Sequence, residues 1–295
     1  HGALFTQNPS TNADMNNTAV GHDAGNQVTT GNQNTFVGSQ AGDALTTGEN
    51  NVAIGYNALT AATINNRCTA VGVSALQNMN NASSGTLDNT AIGANAGGTG
   101  VMTGVLNTLV GTAAGNQITS GQKNTIIGGD AGDVLTTGSF NVALGQEALG
   151  TETQGNYSVC MGQGALLNQN FSTSTNVYNT ALGHAAGNQI TTGVQNTIVG
   201  GLCVDDLVSG DTNTIIGYNM SMSNNATDAA IAIGSNIAAP TSNKVRIGTS
   251  NGLAELTLDG SDTSWAASSD SRLKKDIADS TVGLGFINDL RPVTF

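Results

Sequence analysis

Ser269 and Lys274 lie five residues apart near the end of the chain, within Ser269-Asp270-Ser271-Arg272-Leu273-Lys274-Lys275-Asp276-Ile277. A serine hydroxyl is a weak nucleophile until a neighbouring base takes its proton, and a partly buried lysine with a depressed pKa can be that base. The spacing alone fits an ordinary turn serine and a solvated lysine equally well. Asp205-Asp206 and the pair Glu147 and Glu152 are the acids that most suggest glycoside hydrolysis, which needs two carboxyl groups facing each other across a cleft. Solvated corner acids are the expected reading. His22 and His184 offer too few ligands for a metal site and read as exposed corners, so no metal and no other cofactor is expected. Cys68, Cys160 and Cys203 are too widely spaced for a disulfide framework and read as small, partly buried fillers. Recurrent threonines at 29, 46, 119, 136 and 191 could line up as an ice-binding ladder, although strand propensity accounts for them more simply.

Composition narrows the classes further. Of 295 residues, 9% are charged, against roughly 25% in a typical soluble domain. The chain holds 40 Gly, 36 Asn and only 3 Pro, which is not the charged, proline-rich make-up of a disordered chain. The net charge of −12 comes from 20 acids against 8 bases. Before residue 244 the bases are Arg67 and Lys123, which argues against a nucleic-acid surface. No apolar run is long enough for a membrane span, so no membrane insertion is expected. No basic n-region precedes an apolar stretch, and the start at His1 reads as a fragment or processed product.

These residues are carried by an internal repeat. Asn-Thr-x-apolar-Gly recurs from Asn17-Thr18-Ala19-Val20-Gly21 onward, with glycines at 21, 38, 55, 72, 93, 111, 128, 145, 162, 183, 200, 217, 234 and 248. Most intervals are 17 residues, with 21-residue units after Gly72 and Gly162, and the segment from Asn17 to Gly93 recurs at an offset of 90. A 17-residue period is too short for helical repeats and lacks the leucines of leucine-rich repeats. It fits one coil of a parallel β-solenoid with two or three short strands and with Gly and Asn at the corners, where Asn tolerates positive φ. Stacked Asn side chains can also hydrogen-bond along the axis. The Asp residues keep no fixed place in the unit, which argues against repeat-bound calcium.

Two apolar residues precede most marker glycines, as in Phe36-Val37, Ala53-Ile54, Ile126-Ile127 and Ile215-Ile216. Strand neighbours point to opposite faces, so one fills the lumen and the other forms an outward stripe. A stripe of that length marks an interaction surface, and a second and third copy of the same chain are its simplest occupants. A parallel homotrimer is therefore expected, about 60 Å long for thirteen steps of the strand spacing. Inserts near residues 76–88 and 166–178 are candidate receptor-contact loops.

Asn89-Thr90-Ala91-Ile92-Gly93-Ala94-Asn95-Ala96 resembles the head repeat of trimeric autotransporter adhesins, which implies a parallel β-roll packed as a trimer. The segment from Ser269, followed by Leu290-Arg291-Pro292-Val293, closely resembles the start of the endosialidase-type intramolecular chaperone that ends phage tail fibres and tailspikes. That resemblance implies a short α-helical start, with Ser269 as nucleophile and Lys274 as its base in a single autocleavage; the 26 residues after Ser269 cover only the beginning of such a domain. The chain thus divides into a lead-in (1–16), an all-β parallel β-solenoid shaft (17–248), a strand-rich linker (249–268) containing Leu253 to Leu258, and the chaperone start (269–295). The expected function is a structural and host-adhesion segment of a phage tail fibre or tailspike on the virion, with no enzyme activity beyond autoproteolysis. Its expected partners are itself, a host-surface glycan or protein receptor, and other tail or fibre proteins. A trimeric adhesin on a bacterial surface and a polysaccharide-degrading tailspike are the alternatives; the 4% aromatic content counts against a long sugar-stacking groove.

Overall fold

A computed structural model describes residues 1–8, 14–80 and 85–258, together with the backbone of residues 266–267. Those residues are all-β, with no helix among them. Fourteen parallel strands stack in chain order from Thr18–Val20 to Lys244–Thr249. Their register is constant: Thr18 pairs with Thr35, Ala19 with Phe36 and Val20 with Val37, and so on up the stack. This is the parallel solenoid of about 17-residue coils that the repeat predicts. The constant register follows from the pleat, because a slip of one residue would turn the apolar column from lumen to solvent.

The number of strands per coil is a correction. Two or three were expected, but most coils contain one strand of three residues, and the remaining residues are turns. Those turns are bonded from coil to coil all the same: Gly25 N–H donates to Ala41 O, Gln27 N–H to Asp43 O and Thr29 N–H to Thr46 O, each at 2.9 Å. The axial ladder therefore satisfies backbone groups all around the coil, and short strands suffice.

Inside, size is traded between two places, within a coil or between adjacent coils. Gly42, Gly115 and Gly132, four residues after their markers, sit in coils with a large strand residue, Phe36, Leu109 or Ile126, whereas Gly187 shares its coil with Ala181 and faces Ile198 of the next coil. A Cβ added at Gly132 would meet Ile126 at 3.0 Å. Coils with Leu59, Leu76, Leu149 or Leu166 at that place carry Ala53, Ala70, Ala143 or Cys160 in the strand, all fully buried. The narrow lumen fills to close packing either way.

Both ends are closed. Residues 1–8 run under the first coil, where Leu4 N–H donates to Ala24 O at 3.0 Å and Thr6 N–H to Asn26 O at 3.1 Å. At the other end the lumen position is taken by Arg246, paired in register with Ala232. Its guanidinium donates to Ala238 O and to Glu255 on the antiparallel strand Gly252–Thr257, which folds back from Lys244–Thr249. The alternation read at Leu253 to Leu258 is this hairpin strand, and a polar cap there shields the last apolar rung.

Candidate interaction surface

The strand places its first and third residues outward and its second inward. The third residues form an unbroken apolar column, Val20, Val37, Ile54, Val71, Ile92, Val110, Ile127, Leu144, Met161, Leu182, Val199, Ile216, Ile233 and Ile247. Its members keep substantial exposure, 60% at Val20, 43% at Ile92 and 42% at Ile247. The first residues form a parallel column that is mostly threonine, from Thr18 and Thr35 to Thr197 and Thr214. Three residues across and thirteen coil steps long, this flat face measures roughly 10 by 60 Å. That is about 600 Å² of uniform, charge-free surface, close to what one partner contributes to a specific interface.

Beneath it runs an asparagine ladder that sequence reasoning assigned partly to the corners. The repeat's Asn is instead a buried axial residue: Asn34 Oδ1 accepts from the N–H of Asn51 at 2.9 Å and from its Nδ2 at 3.1 Å, and Asn51 Nδ2 donates also to Asn65 O. Positive φ belongs to the residue before it, whatever its type: Gln33 (58°), Asn50 (59°), Arg67 (59°), Lys123 (56°) and Phe140 (61°). At that place Phe140, Tyr157 and Tyr178 stack with centroids 4.9 and 5.2 Å apart, and Lys123 Nζ lies 5.0 Å from the Phe140 centroid. The ring faces cover one another and turn edges outward, so this is an axial stack rather than a sugar platform.

The ladder breaks at Cys68 and at Ser158, ninety residues apart, and the two breaks are healed by different chemistry. At the first, Met79 Sδ lies 3.9 Å from Cys68 Sγ and 3.7 Å from Asn89 Nδ2, with Ala62 buried nearby in sequence register. At the second, Gln169 Nε2 donates to Ser158 Oγ (2.9 Å) and to Glu152 Oε2 (2.8 Å), while Gln169 Oε1 accepts from Asn179 Nδ2 (2.9 Å). Glu152, fully buried, accepts at Oε1 from the N–H groups of Thr153, Gln154, Gly155 and Phe171. Glu152 is thus a lumen residue whose oxygens are fully engaged, while Glu147 sits at an outer corner with φ of 57°. The structure does not bring these two acids together across a cleft.

The other residues singled out from sequence fall as follows. Asp206 Oδ1 accepts from Met222 N–H at 2.6 Å; burial, with the charge of Asp205 adding to it, raises its pKa, while Asp205 is exposed. The threonine hydroxyls donate to carbonyls of the next coil, as Thr46 Oγ1 does to Thr63 O at 2.9 Å and Thr136 Oγ1 to Thr153 O at 3.0 Å, so they serve the stack. All three cysteines are buried, and burial pushes the Cys68 thiol up to about 12. His184 is an exposed corner, as expected; His22 is exposed too, but it lies beside His1 and Asp23, a grouping that a separation of 21 residues hid. In the second insert Thr175–Asn176 pairs with Gly155–Asn156 of the preceding coil, and Ser172, Thr173 and Ser174 face solvent. In the first, an isolated bridge joins Asn66 to Thr86. Ser269, Lys274 and the expected α-helical chaperone start lie outside the described residues. No family model, curated protein or solved structure matches the chain.

Proposed function

We propose that this chain is a structural and adhesive segment of a phage tail fibre or tailspike, a parallel homotrimer that reaches and binds a host-surface glycan or protein receptor. The observation that carries the reading is the unbroken outward column from Val20 to Ile247 beside its threonine column. A rigid rod with a charge-free face along its whole length fits lengthwise packing against copies of itself better than it fits a reaction centre. The segment Ser269 to Lys275 supports the owner: with Leu290-Arg291-Pro292-Val293 it resembles the chaperone start of tail fibres, in which Ser269 would be the nucleophile of one autocleavage and Lys274 its base. Receptor contact is assigned to the inserts at 76–88 and 166–178, because loops on a regular scaffold often carry recognition.

The test is solution mass by light scattering coupled to size exclusion. A mass about three times 29.5 kDa with an elongated profile is expected; a monodisperse single chain would overturn the trimer. Deleting both inserts without loss of host binding would overturn the receptor assignment. A second reading, a trimeric adhesin on a bacterial surface, draws on the adhesin-like repeat Asn89 to Ala96 and shares the architecture. Finding the chain in purified virions or on cell envelopes separates the two.

A further inference from the structure

We propose that His1, His22 and Asp23 form a divalent transition-metal site that clips the N-terminal segment onto the first coil. One ligand atom from each of the three side chains lies within 4.8 Å of the others. Two ligands on a tetrahedral zinc ion, with bonds of 2.0–2.1 Å, stand about 3.3 Å apart, so small rotations of these side chains converge on one ion. Both histidines are exposed, and their rings stack with centroids 6.0 Å apart. His22 Nδ1 and Asp23 Oδ2 already lie 3.0 Å apart, so two of the three ligand atoms are close enough to meet on one ion. Two imidazoles and one carboxylate suit Zn²⁺, Ni²⁺ or Cu²⁺, whereas Ca²⁺ and Mg²⁺ prefer oxygen ligands alone.

The backbone holds the donors in place before any ion arrives. Asp23 N–H donates to His1 O at 3.0 Å, and Leu4 and Thr6 continue the same pairing toward Ala24 and Asn26. The Asp23 carboxylate lies where a Cβ on Gly2 would stand, so glycine there lets the two segments approach. Beside the group is a cavity of about 200 Å³ lined by His1, Gly2, Phe5, Asp23 and Asn26, which leaves room for the waters that complete the coordination. The ligands come from two segments 21 residues apart, so one ion ties the end cap to the stack. His184, which also follows a marker glycine, belongs to no such group among the described residues and is the internal control.

The test uses the untagged full chain, titrated with Zn²⁺ against a chromogenic chelator, together with His22→Ala and His184→Ala. Stoichiometric binding of one ion per chain is expected, weakened at least about tenfold in His22→Ala and unchanged in His184→Ala. Amide exchange at Leu4 and Thr6 is expected to slow when Zn²⁺ is bound. Absence of stoichiometric binding, or equal affinity in His22→Ala, overturns the site; binding with unchanged exchange at Leu4 and Thr6 overturns the clip.

Discussion

Glu152 and Gln169 stand where other coils place Leu45, Leu135 or Ile190, and both are completely buried. Each is tolerated because the other, with four backbone N–H groups and Ser158, satisfies it; removing one partner leaves buried groups unpaired at about 1–3 kcal/mol each. Glu152→Ala and Gln169→Met are each expected to cost at least about 2 kcal/mol in urea unfolding, and the double variant less than their sum, by a coupling of about 1–3 kcal/mol. Strict additivity would show that the 2.8 Å contact contributes nothing. Asp43 offers a case of opposite sign. Burial, reinforced by the charge of Asp23, holds its carboxyl above the usual range, and its Oδ1 has no hydrogen-bond partner. A raised folded pKa means that the folded state takes up the proton more readily than the unfolded chain, so stability from this group is present at low pH and lost as pH rises through the folded pKa. Asp43→Asn, which installs the residue found at the equivalent Asn26 and Asn116, is expected to raise the melting temperature at pH 7. The difference from the parent should close as the pH falls into the carboxylate range, at roughly pH 4.

The coil as an element is set by how closely its turns approach the next coil. Gly38 has φ of 140°, and a Cβ there would stand 2.5 Å from the carbonyl oxygen of Gly55. Backbone strain and contact act together, and Gly38→Ala is expected to cost at least about 2 kcal/mol. Gly129 has nothing within 4 Å of an added Cβ, and Gly129→Ala should change stability by less than about 1 kcal/mol. Chemical unfolding of the two variants side by side checks the pair; equal effects would remove coil-to-coil contact as the reason for the marker glycine. The marker itself was plain from its spacing, whereas the left-handed residue before the ladder Asn was not. Gln33, Arg67, Lys123 and Phe140 share that conformation without sharing any local preference for it. Local propensity carries no trace of a conformation that the stacking of neighbouring coils imposes.

For the whole molecule, the outward column predicts how copies meet. Ile92→Asp with Leu182→Asp places charges in the column at two well-separated rungs, where three copies would bring like charges together without water to screen them. The doubly substituted chain is expected to lose the trimer mass in light scattering while keeping the far-ultraviolet circular dichroism of the coil. Retention of the trimer would mean that copies associate through another face. The two ends are equally specific to the molecule. Arg246 would be a core position by repeat register, yet with Glu255 it terminates the apolar lumen, and Lys244 and Arg246 hold the Glu255 carboxyl below the usual range.

The sequence alone determined the period, the parallel stack, the inward and outward strand residues and the buried cysteines, because each rests on a pattern that the coil repeats and the pleat converts directly into a face. Tertiary structure decided which residues meet across coils. The asparagine ladder's two repairs, Cys68 with Met79 and Ser158 with Gln169 and Glu152, rest on contacts between residues 11 or 17 apart whose types look unrelated. The Phe140–Tyr157–Tyr178 stack and the grouping of His1 with His22 and Asp23 depend in the same way on coils lying one strand spacing apart. Contacts along the axis are made once per turn, so their chemistry becomes visible only when the chain is wound.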